Sequence, residues 1–266
     1  MKKLSKHWFY LVMSLSLLLV LTGCNTATPA NNEMATQTII AYNEATTPHY
    51  DVVMRNEKPQ IDGMSEDAVW ETVPILSGGF HFPWDTKEAP LTEFKAFNDG
   101  TDFYFHFNVL DQDVLLDSDW KEDESTVDNE DRVELFFAGG SVDKPTPDGM
   151  PLYYAIEVDA DGRIHDYSIE YYRDFDSEWN LEGLETAATK TDNGYSVEGK
   201  IPIKTLEDLK LLNNNVIKVG AYRAEFSAPE NEGDDPVMEW ISWVDPKTQN
   251  PDFHVNSSFG EFRFLK

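Results

Sequence analysis

The chain has 266 residues, and its 49 acidic and 21 basic side chains give a formal net charge of −28. An acidic surface of this kind repels nucleic acid and anionic lipid headgroups, so neither is an expected partner. It is compatible with divalent cations and with neutral ligands. Cys24 is the one cysteine in the sequence, so no disulfide bond can form within the chain, and stability has to come from packing.

The first residues have the pattern of a secretory signal peptide. Three lysines precede a nearly continuous apolar run from Phe9 to Leu21, which is shorter than a membrane-spanning helix. The stretch Leu21-Thr22-Gly23-Cys24 resembles a bacterial lipobox, in which the cysteine is lipidated and becomes the first mature residue. We therefore predict a signal peptide over residues 1–23 and a membrane-anchored lipoprotein. Asn25 favours, by resemblance to sorted lipoproteins, an outer-membrane or cell-surface destination. The alternative is an ordinary signal peptide with a coincidental cysteine.

Two segments follow the signal sequence. Residues 24–49 hold the lipidated cysteine and a stretch rich in Asn, Thr, Ala and Pro, a composition typical of a disordered tether. Residues 50–266 are then compatible with one β-rich domain. Within this domain Ser65 is a predicted N-cap for a short helix that Trp70 docks. A second short helix is predicted from Leu206 to Leu212.

The clearest strand signal lies between Thr92 and Phe137. Phenylalanines occupy every second position from Phe103 to Phe107, and polar residues alternate with them. Such alternation indicates a strand with one buried and one solvated face. The Asn98-Asp99-Gly100 sequence joins this strand to the preceding alternating run as a tight hairpin. His106 falls on the polar face, so we expect it to be solvated.

The rest of the domain repeats this pattern of short strands and turns. Asp192-Asn193-Gly194 predicts a second hairpin. Asp159 to Gly162 predicts a hairpin turn, because the later ligands of a calcium loop are missing. Further strands are predicted at 132–137, 152–158, 163–167, 185–190, 195–201, 216–226, 238–244 and 260–265. Without a βαβ rhythm, the pattern predicts an all-β fold, an antiparallel β-sandwich of immunoglobulin or jelly-roll type with one or two short helices.

No enzyme signature is present among the motifs that sequence can reveal. Nucleophile elbow, phosphate loop, dinucleotide fingerprint and His-Glu-x-x-His are all missing, so we predict a protein that is not an enzyme. Aromatic residues in polar loops are a stronger signal. An aromatic ring can stack on the C–H face of a pyranose while carboxylates and amides bond its hydroxyls. Trp84 and Trp120 lie in such loops, whereas Trp70, Trp240 and Trp243 are expected in the core.

Five short motifs occur in an order that resembles family 9 carbohydrate-binding modules, over about residues 53–266. The motifs are Gln60-Ile61-Asp62-Gly63 with Trp70, then Asp102–Asp111, 131–136, 194–202 and the ending 241–246 with 259–264. The resemblance implies a β-sandwich that clamps a terminal sugar between two tryptophans and holds structural calcium.

The resemblance also suggests individual site residues. Glu134 matches the family's sugar-bonding glutamate, and Trp120 is the nearest candidate for one clamp tryptophan. The second clamp position falls in the segment 247–256, where Phe253 or His254 stands in place of tryptophan. The family's arginine on the strand at 152–158 has no match. With the family's asparagine matched by Gln249 or Asn250, the candidate carbohydrate-binding residues are Trp84, Trp120, Glu134, Gln249, Asn250, Phe253 and His254.

The leading hypothesis is therefore a lipid-anchored protein that binds an oligo- or polysaccharide, beside glycoside hydrolases that degrade polysaccharide. One alternative is a haem-binding redox module, with Met238 as axial ligand together with His254 or His106. A second is a glycoside hydrolase or lyase, whose acid pair cannot be picked out among so many carboxylates. A third is a purely structural surface lipoprotein.

Calcium is the one cofactor that the sequence suggests. Hard oxygen ligands are available near the predicted binding loop from Asp111, Asp113, Asp128, Glu130 and Asp131. The alternative is a solvated acidic loop that binds no metal.

Overall fold

The computed structural model describes residues 48–76, 79–116, 124, 127–139, 152–170, 173–228 and 237–266. The predicted signal peptide, Cys24, Trp120 and the predicted tether up to residue 47 lie outside these residues. The last residue of the predicted tether, His49, already belongs to the first strand. In the part of the chain that is described, none of the helices has the length and apolar character needed to cross a membrane.

The regular secondary structure of the described residues is almost entirely β-strand, which confirms the all-β character of the predicted fold. One α-helix, α1 (Ile203–Asp208), and short 3₁₀ helices at Ala68–Thr72, Val127–Asn129 and Asn256–Ser258 accompany the strands. The strands are β1 (His49–Met54), β2 (Thr92–Asn98), β3 (Asp102–Leu110), β4 (Arg132–Ala138), β5 (Leu152–Asp159), β6 (Ile164–Glu170), β7 (Asp174–Asp176), β8 (Glu185–Thr191), β9 (Gly194–Pro202), β10 (Val216–Ser227), β11 (Val237–Ser242) and β12 (Gly260–Phe264).

The strands follow one hydrogen-bonded path in the order β7-β6-β5-β4-β10-β12-β1-β2-β3-β9-β8, and β11 pairs with β10. β1 runs parallel to both of its neighbours and so joins two antiparallel runs. Phe94 and Phe105 from one run share a buried cluster with Leu135 and Val219 from the other. The sheet therefore curls around one main core.

Local sequence explains the central hairpin. β2 and β3 pair antiparallel across Asn98–Phe103, and Gly100 takes the positive φ of +84° that the turn requires. Phe103, Phe105 and Phe107 are all buried on the main-core side. The predicted hairpin and the predicted buried face are both confirmed.

The opposite face of β3 is also covered, which the alternation did not reveal. His106 is 5% exposed, lies 2.9 Å from the Ser196 hydroxyl, and packs against Trp70. The prediction of a solvated histidine was wrong because the segment around Trp70 folds over this face. Burial, together with the nearby charge of Lys95, lowers the pKa of His106 to about 4.

A buried carboxylate fixes that covering segment. Glu198, on β9, accepts hydrogen bonds from the indole N–H of Trp70 at 2.8 Å and from the backbone N–H of Gly63 at 2.8 Å and Asp62 at 3.2 Å. Gly63 has a φ of +80°, and a Cβ there would lie 2.6 Å from the backbone of Ala188. Two motifs far apart in sequence therefore meet at one carboxyl group.

Both predicted helices need correction. Ser65 has a φ of +51° and is not an N-cap; the 3₁₀ helix begins after Asp67, whose side chain accepts from the backbone N–H of Gln60. The second helix occupies Ile203–Asp208, earlier than predicted, because β9 runs directly into it through Pro202. Proline fixes φ at a value suited to a helix start. Trp70 docks as predicted and is 2% exposed.

Candidate functional site

A cavity of about 620 Å³ opens on the outer face of β4, β5 and β6, away from the main core. Its floor includes Arg132 and Glu134 from β4, Glu157 from β5 and Tyr167 from β6. Strand alternation explains this placement, since Val133 and Leu135 point into the main core while their neighbours point outward. Glu134, a predicted site residue, therefore lines this cavity.

The floor is a compact ionic network. The Nε of Arg132 lies 2.9 Å from Glu134 Oε1 and 2.7 Å from Glu157 Oε2. Neither carboxylate oxygen completes a hydrogen bond with good geometry, so these two contacts are ionic. The hydroxyl of Tyr167 donates to Glu157 Oε1 at 2.6 Å. Arg132 is held from behind, because its Nη1 donates to the carbonyls of Val127 and Asp128.

Burial of this network changes the protonation of Glu134. Desolvation, reinforced by the negative charge of Glu157, raises the pKa of Glu134 above its usual value against the opposing charge of Arg132. Protonating this carboxyl therefore costs less free energy than protonating an exposed glutamate. A protonated carboxyl can both donate and accept a hydrogen bond, as a sugar hydroxyl requires.

The aromatic walls of the cavity come from strands far apart in the sheet. Trp240 on β11 is half-buried, and the Arg132 guanidinium lies 5.4 Å from its ring centroid. Phe175 on β7 is 43% exposed, and its ring lies 5.4 Å from that of His254 at an angle of 88°. The sequence placed Trp240 in the core. It lines the cavity instead, because β11 extends the outer face beside β10.

Two of the predicted stacking residues lie in the wall with different exposures. Phe253 is 6% exposed and stacks on Tyr222 at 4.1 Å, so little of its ring faces the cavity. Trp84 is half-buried and sits beside Phe253 at 5.3 Å. The structure therefore places the open aromatic surface on Trp84 and Trp240, and Phe253 supports it. Trp120 lies outside the described residues.

The loop between Trp243 and β12 positions the remaining predicted residues. Trp84 Nε1 donates to the carbonyl of Thr248 at 3.0 Å, which ties this loop to the cavity wall. Gln249 and Asn250 are exposed and do not line the cavity; Pro251 and Asp252, which follow them, do. The two amides predicted to bond sugar thus lie outside the cavity.

His254 is a neutral wall residue. Its Nδ1 lies 2.7 Å from the hydroxyl of Tyr153, and its ring lies against Phe136. Burial, with Arg173 adding to the effect, lowers its pKa to about 4. Met238 lines the same cavity, whereas His106 lies under Trp70 in the other run of strands. Of the two axial pairs named for haem, only Met238 with His254 shares a cavity.

The five carboxylates considered for calcium do not form one site. Glu130 is buried and pairs with Arg163, Asp113 is exposed, and Asp128 lies at the cavity. Asp111 and Asp131 do converge, and with Glu225 their oxygens lie within 4.8 Å of one another.

An arginine occupies the centre of that convergent cluster. Arg223 is fully buried, lies 3.4 Å from Asp111, and also pairs with Glu225. Both oxygens of Asp131 accept backbone N–H groups, from Phe226 at 2.7 Å and Leu115 at 2.6 Å. The guanidinium thus already supplies the positive charge, and the cluster in this arrangement does not fit calcium.

Sequence reasoning missed several residues of the cavity, among them Arg132, Glu157, His165 and Phe175. A signal for three of them was present. Arg132, Glu157 and His165 are polar residues in otherwise apolar or aromatic strands, at the positions that alternate with core residues. Phe175 gave no such signal, because it lies in a three-residue strand within a mixed aromatic and charged segment.

Three solved structures share the fold at low sequence identity. A Bacteroides uniformis ATCC 8492 protein assigned as carbohydrate-binding is 15% identical, with a TM-score of 0.57 over 83% of this chain and 100% of its own. A family 9 carbohydrate-binding module from Caldicellulosiruptor kristjanssonii was solved with glucose (19% identity, TM-score 0.52, 82% and 95% covered) and with cellotriose (18%, 0.50, 81% and 93%). The comparison with curated proteins gave no match.

The family comparison covers most of the chain. The model described as carbohydrate family 9 binding domain-like matches residues 61–266, a range that contains the whole cavity and the Glu198 anchor. Apart from Gln60, this match includes all of the motifs on which the sequence resemblance depended. The chain therefore belongs to the carbohydrate family 9 binding domain-like family.

Proposed function

We propose that this protein binds a neutral glycan in the cavity on the outer face of β4, β5 and β6, without cleaving it. The observation that carries the proposal is the combination of half-exposed aromatic walls with a floor of buried carboxyl and guanidinium groups. Rings bind the apolar C–H faces of a sugar, and the polar floor bonds its hydroxyls. Because structural relatives were solved with glucose and cellotriose, glucose-containing oligosaccharides are the first ligands to test.

Each wall has a separate role in this proposal. Trp240 and Trp84 stack on one face of the sugar, and Phe175 with His254 contacts it from the β7 side. The Glu134 carboxyl bonds a hydroxyl at the floor. Trp120, which the sequence assigned to the clamp, is proposed as an additional stacking residue.

The cellular setting is part of the same proposal. Lipidation at Cys24 would hold the domain at the outer membrane or cell surface, and residues 24–49 would be its tether. A glycan-binding domain in that position serves polysaccharide breakdown by keeping substrate close to glycoside hydrolases. The lipobox-like sequence before Cys24 supports the anchor. A β-sandwich is supported separately, by the strands and by the one main core around which the sheet curls.

A glycan array followed by calorimetry of the bound sugars tests the proposal. Trp240→Ala and Phe175→Ala are each expected to weaken binding about tenfold, equivalent to about 1.4 kcal/mol, because each removes one stacking surface. Glu134→Gln keeps the shape of the floor and is expected to weaken binding less. Gln249→Ala lies outside the cavity and is the control.

The outcome of this experiment is decisive in both directions. Saturable binding that falls with both aromatic variants, and is unchanged in Gln249→Ala, supports the cavity as the glycan site. A blank array, or binding that survives both aromatic substitutions, would overturn the assignment.

A further inference from the structure

Three side chains at one end of the cavity floor meet in a way that glycan binding does not explain. His165 Nδ1 lies 3.0 Å from Asp128 Oδ1 and 4.0 Å from Glu157 Oε2. The ligand atoms of the three residues all lie within 4.8 Å of one another. One imidazole nitrogen with two carboxylate oxygens suits a first-row transition ion, whereas calcium takes only oxygen ligands.

The fold fixes two of these groups before any ion arrives. Glu157 and His165 are directly opposite one another on β5 and β6, and such a cross-strand pair has its Cβ atoms about 5 Å apart. The Tyr167 hydroxyl bonds Glu157 Oε1, so the other oxygen, Oε2, faces His165. A hydrogen bond that orients a ligating carboxylate is a usual feature of metal sites.

The state of Glu157 Oε2 is a second, independent observation. Glu157 is 3% exposed, yet this oxygen makes no hydrogen bond, and its contact with Arg132 is ionic only. Buried carboxylate oxygens normally complete their hydrogen bonds, and here the Arg132 charge 2.7 Å away offsets only part of the cost of leaving this one without a bond. An ion between Glu157 and His165 would coordinate this oxygen and share it with Arg132.

We propose that Asp128, Glu157 and His165 bind a divalent transition ion such as Zn²⁺ or Mn²⁺. Asp128 lies in the 3₁₀ helix Val127–Asn129 and is exposed, so it can adjust to the ion while the other two ligands stay fixed. Three protein ligands leave coordination positions open toward the cavity. The positive charge of Arg132 beside Glu157 opposes the binding of a cation, so a higher affinity is expected for a variant that lacks this charge.

Titration of chelator-stripped full-length protein with Co²⁺ tests this site, because cobalt reports its ligands through visible absorption. One equivalent is expected to bind, with Zn²⁺ displacing it and Ca²⁺ leaving the spectrum unchanged. His165→Ala is expected to weaken binding at least tenfold. His81→Ala, a histidine outside the cavity, is the matched control and should bind as the parent does.

A second variant keeps the test valid if His165→Ala fails to fold. Asp128→Asn changes an exposed side chain and is expected to weaken binding of both Co²⁺ and Zn²⁺ without changing the thermal melting temperature measured in the absence of metal. The proposal is overturned if the parent takes up no cobalt, or if His165→Ala and Asp128→Asn bind it as the parent does. These readouts need no sugar, so their failure leaves the glycan proposal standing.

Discussion

Replacing Glu198 by alanine is expected to destabilise the domain more than any surface substitution on the same sheet. The change removes the acceptor for the Trp70 indole N–H and for the backbone N–H groups of Gly63 and Asp62. The first two bonds are buried, and each donor left without an acceptor costs about 1–3 kcal/mol. The third bond is longer and only partly buried, so it adds little.

Part of this loss is offset. Burial raises the pKa of Glu198 above its usual value, which means that desolvating the carboxylate itself costs free energy that alanine does not incur. The expected net loss is therefore about 3 kcal/mol, in the lower half of the range of about 2–6 kcal/mol for two unsatisfied buried donors. For a domain of this length that corresponds to a fall in melting temperature of roughly 6–12 °C.

Urea unfolding followed by tryptophan fluorescence measures the effect. Glu198→Gln retains one acceptor oxygen and is expected to lose about half as much as Glu198→Ala. Glu185→Ala, on the neighbouring strand, removes a 61% exposed carboxylate paired with Lys200 and is expected to change stability by less than about 0.5 kcal/mol. If Glu198→Ala lost under 1 kcal/mol, or no more than Glu185→Ala, the anchoring role would be refuted.

Two further predictions concern buried charge. His106 has a folded-state pKa of about 4 against about 6.5 when unfolded. The unfolded chain therefore binds more protons as pH falls from 6.5 to 4, and stability is lost in that window, by about 2 kcal/mol at pH 5. Between pH 7.5 and pH 5, the unfolding free energy of His106→Asn, measured with urea, is expected to fall less than that of the parent. An equal fall in both proteins would contradict the prediction. Arg223→Ala leaves Asp111, Asp131 and Glu225 without their cation and is expected to cost about 3–5 kcal/mol. Calcium should then raise the melting temperature of the variant more than that of the parent. An equal rise in both would contradict the role of Arg223 as the cation of this cluster.

Much of the local structure followed from the sequence, for physical reasons that act over a few residues. Alternation at period two predicted the buried face of β3 from Phe103 to Phe107, and Asp-Gly and Asn-Gly pairs predicted two hairpins, because glycine tolerates the positive φ such turns need. The family resemblance identified Glu134 as a site residue, and the structure places it in the cavity. The order of motifs identified the family, since each motif is a short contiguous stretch.

Only the tertiary structure decided what covers the second face of each strand. His106 is buried because a segment some 35 residues earlier in the chain folds over it and is anchored by Glu198. Trp240 belongs to the cavity because β11 pairs alongside β10, and Phe253 is covered because Tyr222 lies beneath it. The sequence shows which residues share a face of a strand. Contacts between distant segments decide whether that face meets solvent, a ligand cavity or another layer of the protein.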